Sequence, residues 1–144
     1  MVSESSELKR FSHSLGQNWY HVVLIPKYRF PVFRQDHQRQ LMIEAIDSVC
    51  KTHSIDLFTK EVMDDHVHLF VSCPPEFSIR KLAKILKGGT SFYVREHHPS
   101  LRRYSSLWHR GFMYRSVGAV SAEIVERYIN NSNHWIDATQ KRLK

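Results

Sequence analysis

Three side chains in this sequence carry chemistry that apolar packing does not require. His66 and His68 stand one residue apart in "DDHVHLFVSC", and Tyr128 lies further on in "VERYI". In a strand, alternation turns His66 and His68 to one face, ~6.6 Å apart along the backbone, and Val67, Leu69 and Val71 to the other. The apolar face is then expected to take the helices, with the histidine face left open. Two imidazoles at i and i+2 can converge on one cation if a third ligand approaches from another element, and such a site keeps coordination positions free for reacting oxygens. The same spacing also suits two histidines decorating a solvated sheet face, and a short motif alone does not separate the two. The hydroxyl of Tyr128 has an ordinary pKa of about 10, so it attacks a phosphodiester well only where a metal polarises the phosphate and holds it in line. By spacing alone Tyr128 shares the apolar stripe of Ile124, Val125 and Ile129, which is the pattern of a core residue.

The segment after the histidines is strongly basic. Between Phe77 and Ala122 there are nine Lys or Arg against Glu96 alone, a formal +8 beside +7 for the whole chain. On the predicted helix after Ser78, Arg80, Lys84, Lys87 and Arg95 fall near one stripe with Ser91 between them, opposite the apolar stripe and free to meet phosphates. Arg102, Arg103 and Arg115 extend the basic run, and Tyr93, Tyr104, Trp108, Phe112 and Tyr114 interleave with it. Basic residues with interspersed aromatics suit a single-stranded or splayed nucleic acid, whose bases stack on rings; several of these rings must also serve the core.

The elements that would hold these groups are readable from periodicity. "WYHVVLI", from Trp19 to Ile25, is β-branched and aromatic and predicts a strand that Pro26 ends, followed by the stiff basic and aromatic loop "PKYRFPVF". Leu41, Met42, Ala45, Ile46, Val49 and Cys50 keep helical spacing between about Asp36 and His53. Ile55 to Met63 and His66 to Ser72 read as two strands of an antiparallel hairpin turned at Asp64 and Asp65. Ser78 caps the next helix, with Ile79, Leu82, Ala83, Leu86 and Tyr93 on its apolar side and a bend or break expected at Gly88-Gly89. "FMYRSVG" predicts the last strand, and Ser121 starts a final helix. The pattern predicts an α+β fold: an antiparallel sheet with helices packed on one face, a ferredoxin-like (RRM-like) sandwich.

At 144 residues and 42% hydrophobic, the chain suits one domain over 1–144, with loose tails at about 1–16 and 134–144. The net charge of +7 favours a polyanionic partner without choosing among DNA, RNA and an acidic membrane surface. Cys50 and Cys73 form no C-x-x-C pair, which argues against a disulfide framework and for a reducing cytoplasm. No signal peptide and no run long enough to span a bilayer is visible, so a soluble protein is expected.

Five segments in order resemble the small single-tyrosine HUH transposases of the TnpA type, which move compact bacterial and archaeal insertion sequences as single-stranded DNA. They are "HVVLIPKYRFPVF", "EVMDDHVHLFVSCPP", "LKGGTS", "LWHRGFMYRSVG" and "VERYI", and the resemblance runs from about Tyr20 to Ile129. It implies that His66 and His68 bind a divalent ion, magnesium or manganese, and that Tyr128 attacks the scissile phosphate to leave a 5′-phosphotyrosine and a free 3′-hydroxyl. The partners it implies are single-stranded DNA with hairpin-containing element ends and a second copy of the chain in a homodimer.

Two positions depart from the family's pattern. Asp64 stands where the family has Pro before "DHVH", and Ser132 stands one helical turn after the tyrosine, where the family has a Gln that supplies the third metal ligand. Ser132 keeps a second expectation open, a nucleic-acid-binding module derived from such an enzyme that grips DNA or RNA without cutting. An unrelated ferredoxin-like RNA-binding domain would instead carry stacking aromatics at positions 66 and 68.

Overall fold

The computed structural model describes residues 9–11, 14–98 and 107–117. Their frame is an antiparallel four-stranded sheet with two helices on one face. The main strands are β3 (Trp19–Leu24), β4 (Asp56–Val62), β5 (Val67–Ser72) and β6 (Met113–Val117), in the spatial order β4-β5-β3-β6. The helices are α1 (Asp36–Thr52) and α2 (Ile79–His97). This is the α+β sandwich that the alternation of strand and helix periods predicts.

The core forms where both kinds of apolar stripe meet. Val22 and Leu24 of β3 and Val67, Leu69 and Val71 of β5 face Met42, Ala45, Ile46 and Val49 of α1 and Leu82, Leu86 and Val94 of α2. Burying such side chains contributes about 1.5–3 kcal/mol each before the entropic cost of ordering them. Helix α1 ends where Ser54 takes a left-handed conformation (φ 58) and the Ile55 N–H returns to the Cys50 carbonyl at 2.9 Å, a closure that satisfies an otherwise orphaned carbonyl. Helix α2 starts as expected, the Ser78 hydroxyl accepting from the Lys81 N–H at 3.0 Å.

Three local expectations change. Gly88-Gly89 neither bends nor breaks α2, which runs unbroken from Ile79 to His97. Gly89 sits where the helices meet: a Cβ there would lie 2.7 Å from Val49 Cγ2, so the missing side chain lets them approach. The expected loose tail at about 1–16 contains a small antiparallel pair, β1 (Lys9–Phe11) with β2 (Ser14–Gly16), strands too short to show a period of two. The histidine face of β5 is not open, since all six of its residues are buried. On that face Trp19, Phe58 and Phe70 form an aromatic cluster, with ring centroids 5.6–6.0 Å apart.

Candidate metal and nucleic-acid site

Strand β5 places His68 between cross-strand neighbours Val23 of β3 and Glu61 of β4, while His66 closes the hairpin, its carbonyl accepting from the Met63 N–H at 2.9 Å. The two imidazoles lie edge to face, centroids 4.8 Å apart, and both are buried. His66 and His68 therefore come together as their spacing predicts, but inside the protein rather than on a solvated face.

Each imidazole has its Nδ1 against a neighbour. His66 Nδ1 donates to Asp65 Oδ1 at 2.7 Å, and the other oxygen of that carboxylate accepts from Arg29 Nε at 2.8 Å. Burial alone would raise the Asp65 carboxyl, yet the hydrogen bond from His66 and the adjacent Arg29 hold it below its ordinary range. Arg29 reaches it because the chain leaves β3 at Pro26 and turns through two left-handed residues, Tyr28 (φ 60) and Arg29 (φ 54). His66 Nε2 is buried with no hydrogen-bond partner among the described residues. An orphaned nitrogen of this kind on an imidazole backed by a carboxylate is the donor arrangement of a metal ligand.

His68 has a different neighbour, one that the spacing of the motif does not single out. His21 of β3 is 1% exposed, and its Nε2 lies 3.3 Å from His68 Nδ1 with the rings stacked. His21 pairs directly with Phe70 of β5 and Arg115 of β6, so its side chain shares their face and meets His68 diagonally. Burial, reinforced by Arg115, pushes His21 down to about 4; burial and the neighbouring imidazoles push His68 down to about 3. Both are therefore neutral near pH 7. A lone histidine inside an otherwise apolar strand is the signal that the sequence offers for His21, but the identity of the neighbouring strand is not written in it.

The basic residues divide. Arg80 and Lys84 are exposed on α2, and Arg115 is exposed on β6. Lys87 instead donates to the carbonyls of Arg110 at 2.8 Å and Gly111 at 3.4 Å, and burial lowers its ammonium pKa. Ser91, expected on the open stripe, is buried. The segment entering β6 meets the same helix: Trp108 Nε1 donates to Thr90 Oγ1 at 3.0 Å. Tyr128, Arg102, Arg103 and Ser132 lie outside the described residues. Among the described residues no set of three His, Cys, Asp or Glu could hold a metal, and His66 and His68 stand there as a pair. No helix among them is long and apolar enough to cross a membrane.

Fold and site thus define a two-layer α+β protein with a buried imidazole pair at the start of β5 and a basic helix beside its sheet. A family model described as "Transposase IS200 like" matches residues 14–132, most of the chain, and the chain belongs to that family. It is therefore a transposase of insertion sequences, a DNA-processing enzyme. Among its relatives, the transposase for insertion sequence element IS200 of Salmonella typhimurium is 28% identical over 119 residues, covering 81% of this chain and 78% of the relative. The ISDra2 transposase TnpA of Deinococcus radiodurans is 25% identical over 130 residues, covering 88% and 92%. In fold the chain is similar to a solved crystal structure from Deinococcus radiodurans, with a TM-score of 0.69, 24% identity and coverage of 85% of this chain and 96% of that one. It is also similar to a REP-associated tyrosine transposase bound to a REP hairpin, with a TM-score of 0.55, 16% identity and coverage of 88% and 73%.

Proposed function

We propose that the chain cleaves and rejoins single-stranded DNA through a 5′-phosphotyrosine intermediate, with a divalent ion, Mg2+ or Mn2+, at His66 and His68. The observation that carries this reading is His66 itself: Nδ1 on a carboxylate, Nε2 buried and unpartnered, and a second neutral imidazole alongside. When bound, the ion would polarise the scissile phosphate and stabilise charge developing on its oxygens.

The chain's own residues would do the rest. Tyr128 Oη attacks phosphorus and gives up its proton; the bond to the 3′ oxygen breaks, and that oxygen leaves as a hydroxyl after taking a proton. One phosphodiester is exchanged for another, so the link is conserved and the reverse reaction rejoins strands without a nucleotide cofactor. Arg80, Lys84 and Arg115, with Arg102 and Arg103, would hold the strand by its phosphates, while Lys87 holds the segment entering β6. The hairpin seen with the solved REP-associated relative supports hairpin-containing ends as the substrate for this chain as well. A homodimer in which one chain's tyrosine completes the other's histidine site fits the same reading. Mixed dimers of Tyr128→Phe and His66→Ala chains test it, because cleavage returns only if sites are shared.

The deciding experiment incubates the protein with labelled single-stranded DNA bearing the element's own ends, with Mn2+ or with chelator, and resolves products on a denaturing gel. A chelator-sensitive covalent adduct, lost in Tyr128→Phe while DNA binding persists, is expected. Cleavage by Tyr128→Phe at the wild-type rate would refute the tyrosine as nucleophile.

Ser132 favours a second reading, a binding module that retains the grip and has lost the cut, because a serine is a shorter and weaker ligand than the glutamine of the family's pattern. Binding without adduct, with adduct formation gained in Ser132→Gln, identifies that outcome.

A further inference from the structure

The two site histidines are backed in parallel ways by unlike groups. His66 Nδ1 meets the Asp65 carboxylate, whereas His68 Nδ1 meets the imidazole of His21. A carboxylate can only accept, so it dictates that His66 carries its proton on Nδ1. A neutral imidazole can donate or accept at the contacting nitrogen, so the 3.3 Å contact between His21 Nε2 and His68 Nδ1 admits two proton arrangements.

The two arrangements differ in what they leave on the far side of His68. If His21 Nε2–H donates, His68 Nδ1 accepts and the single proton of neutral His68 sits on Nε2, which removes that nitrogen as a ligand. If His68 Nδ1–H donates, His21 Nε2 accepts, His21 keeps its proton on Nδ1, and His68 Nε2 presents a lone pair. With Nδ1 occupied by His21, Nε2 is the remaining nitrogen through which His68 can reach a cation.

We infer that His21 is a positioning residue: it accepts a hydrogen bond from His68 Nδ1–H and so sets the tautomer and ring orientation in which His68 Nε2 can bind a divalent cation. The inference rests on the reading that His66 and His68 hold such an ion. Three further features hold His21 in place. It is 1% exposed, it stacks on Phe70 with centroids 6.4 Å apart, and the β3–β5 register fixes its diagonal relation to His68. Removing an outer partner of a ligating histidine typically costs about 10–100-fold in metal affinity.

The test measures Mn2+ affinity by electron paramagnetic resonance and the His68 tautomer by long-range 15N–1H NMR, in full-length wild type, His21→Phe, His21→Gln and His66→Ala. His21→Phe keeps the ring and its stack but has no acceptor, so Mn2+ binding should weaken about 10–100-fold, and His68 should shift toward the tautomer protonated on Nε2. His21→Gln can offer an amide oxygen near the position of the lost Nε2 and should recover most of the affinity and the tautomer. Wild-type affinity and an unchanged tautomer in His21→Phe would overturn the inference while leaving the metal site standing. If wild type and His66→Ala bind Mn2+ equally poorly, the metal reading itself has failed and the role of His21 falls with it. His21→Phe and His21→Gln losing equal affinity with the His68 tautomer unchanged would assign His21 to packing alone and likewise overturn it.

Discussion

Asp65 and His66, adjacent in sequence, are joined by a side-chain hydrogen bond of 2.7 Å, and the same carboxylate is held from its other side by Arg29. In the proposed metal site this arrangement would orient one imidazole from behind and raise its basicity as a ligand. Asp65→Asn should therefore weaken Mn2+ binding about 10–100-fold. Because Asp65 is only partly buried, the fold should be largely retained. Titration with Mn2+ beside a thermal melt separates the two effects, and an unchanged affinity would remove Asp65 from the site.

Arg80, Lys84 and Lys87, in the first half of α2, should separate in function. Arg80→Ala and Lys84→Ala remove exposed charges and should weaken single-stranded DNA binding about equally across sequences. Each should also reduce the slope of log K against log salt by about 0.7. Lys87→Ala should instead lower thermal stability, because it leaves the Arg110 and Gly111 carbonyls without their ammonium partner. Fluorescence anisotropy across a salt series, with melts of each variant, checks this.

Adjacent glycines in α2 should respond oppositely to the same change. A Cβ added at Gly88 would meet nothing within 4 Å, so Gly88→Ala should stabilise the protein by about 0.5–1 kcal/mol through helix propensity. At Gly89 the new Cβ would meet Val49, and overpacking of this kind costs about 1–3 kcal/mol. Urea unfolding of the two variants gives the signs directly.

Burial pushes the Cys50 thiol up to about 12 and the Cys73 thiol up to about 11, against an ordinary value near 9. Both thiols should therefore resist a thiol-specific reagent at pH 8 in the folded protein and react readily in urea. Since the unfolded thiols ionise first, their contribution to stability is whole below pH 9 and is lost as pH rises through about 11 to 12. The urea midpoint should fall over that interval, and fast labelling at pH 8 without denaturant would contradict the burial of both sulfurs.

Much of the fold is legible in the sequence because secondary-structure periods are local. The "WYHVVLI" strand, the stripe from Leu41 to Cys50 and the cap at Ser78 each rest on residues a few positions apart, and each lies where its pattern puts it. Expectations fail where the deciding neighbour is distant in sequence. Gly88-Gly89 reads as a weak point because the local rule knows only propensity, whereas Val49 of the other helix is what makes Gly89 useful. Ser91 reads as exposed, and is buried, because the helix period is blind to what packs on the helix from elsewhere in the chain, as Trp108 does at the adjacent Thr90.

By itself the sequence determined the strand and helix content, the common face of His66 and His68, the basic character of the segment after them and the resemblance to a transposase family. Only the tertiary structure decided that the histidine face is buried, that Lys87 is spent on backbone carbonyls and that His21 is the neighbour of His68. The physical reason is register: side chains alternate with a period of two, so sliding β3 by one residue against β5 would have turned His21 toward the helices. That register is set by the packing of the whole sheet, and no short stretch of the chain encodes it.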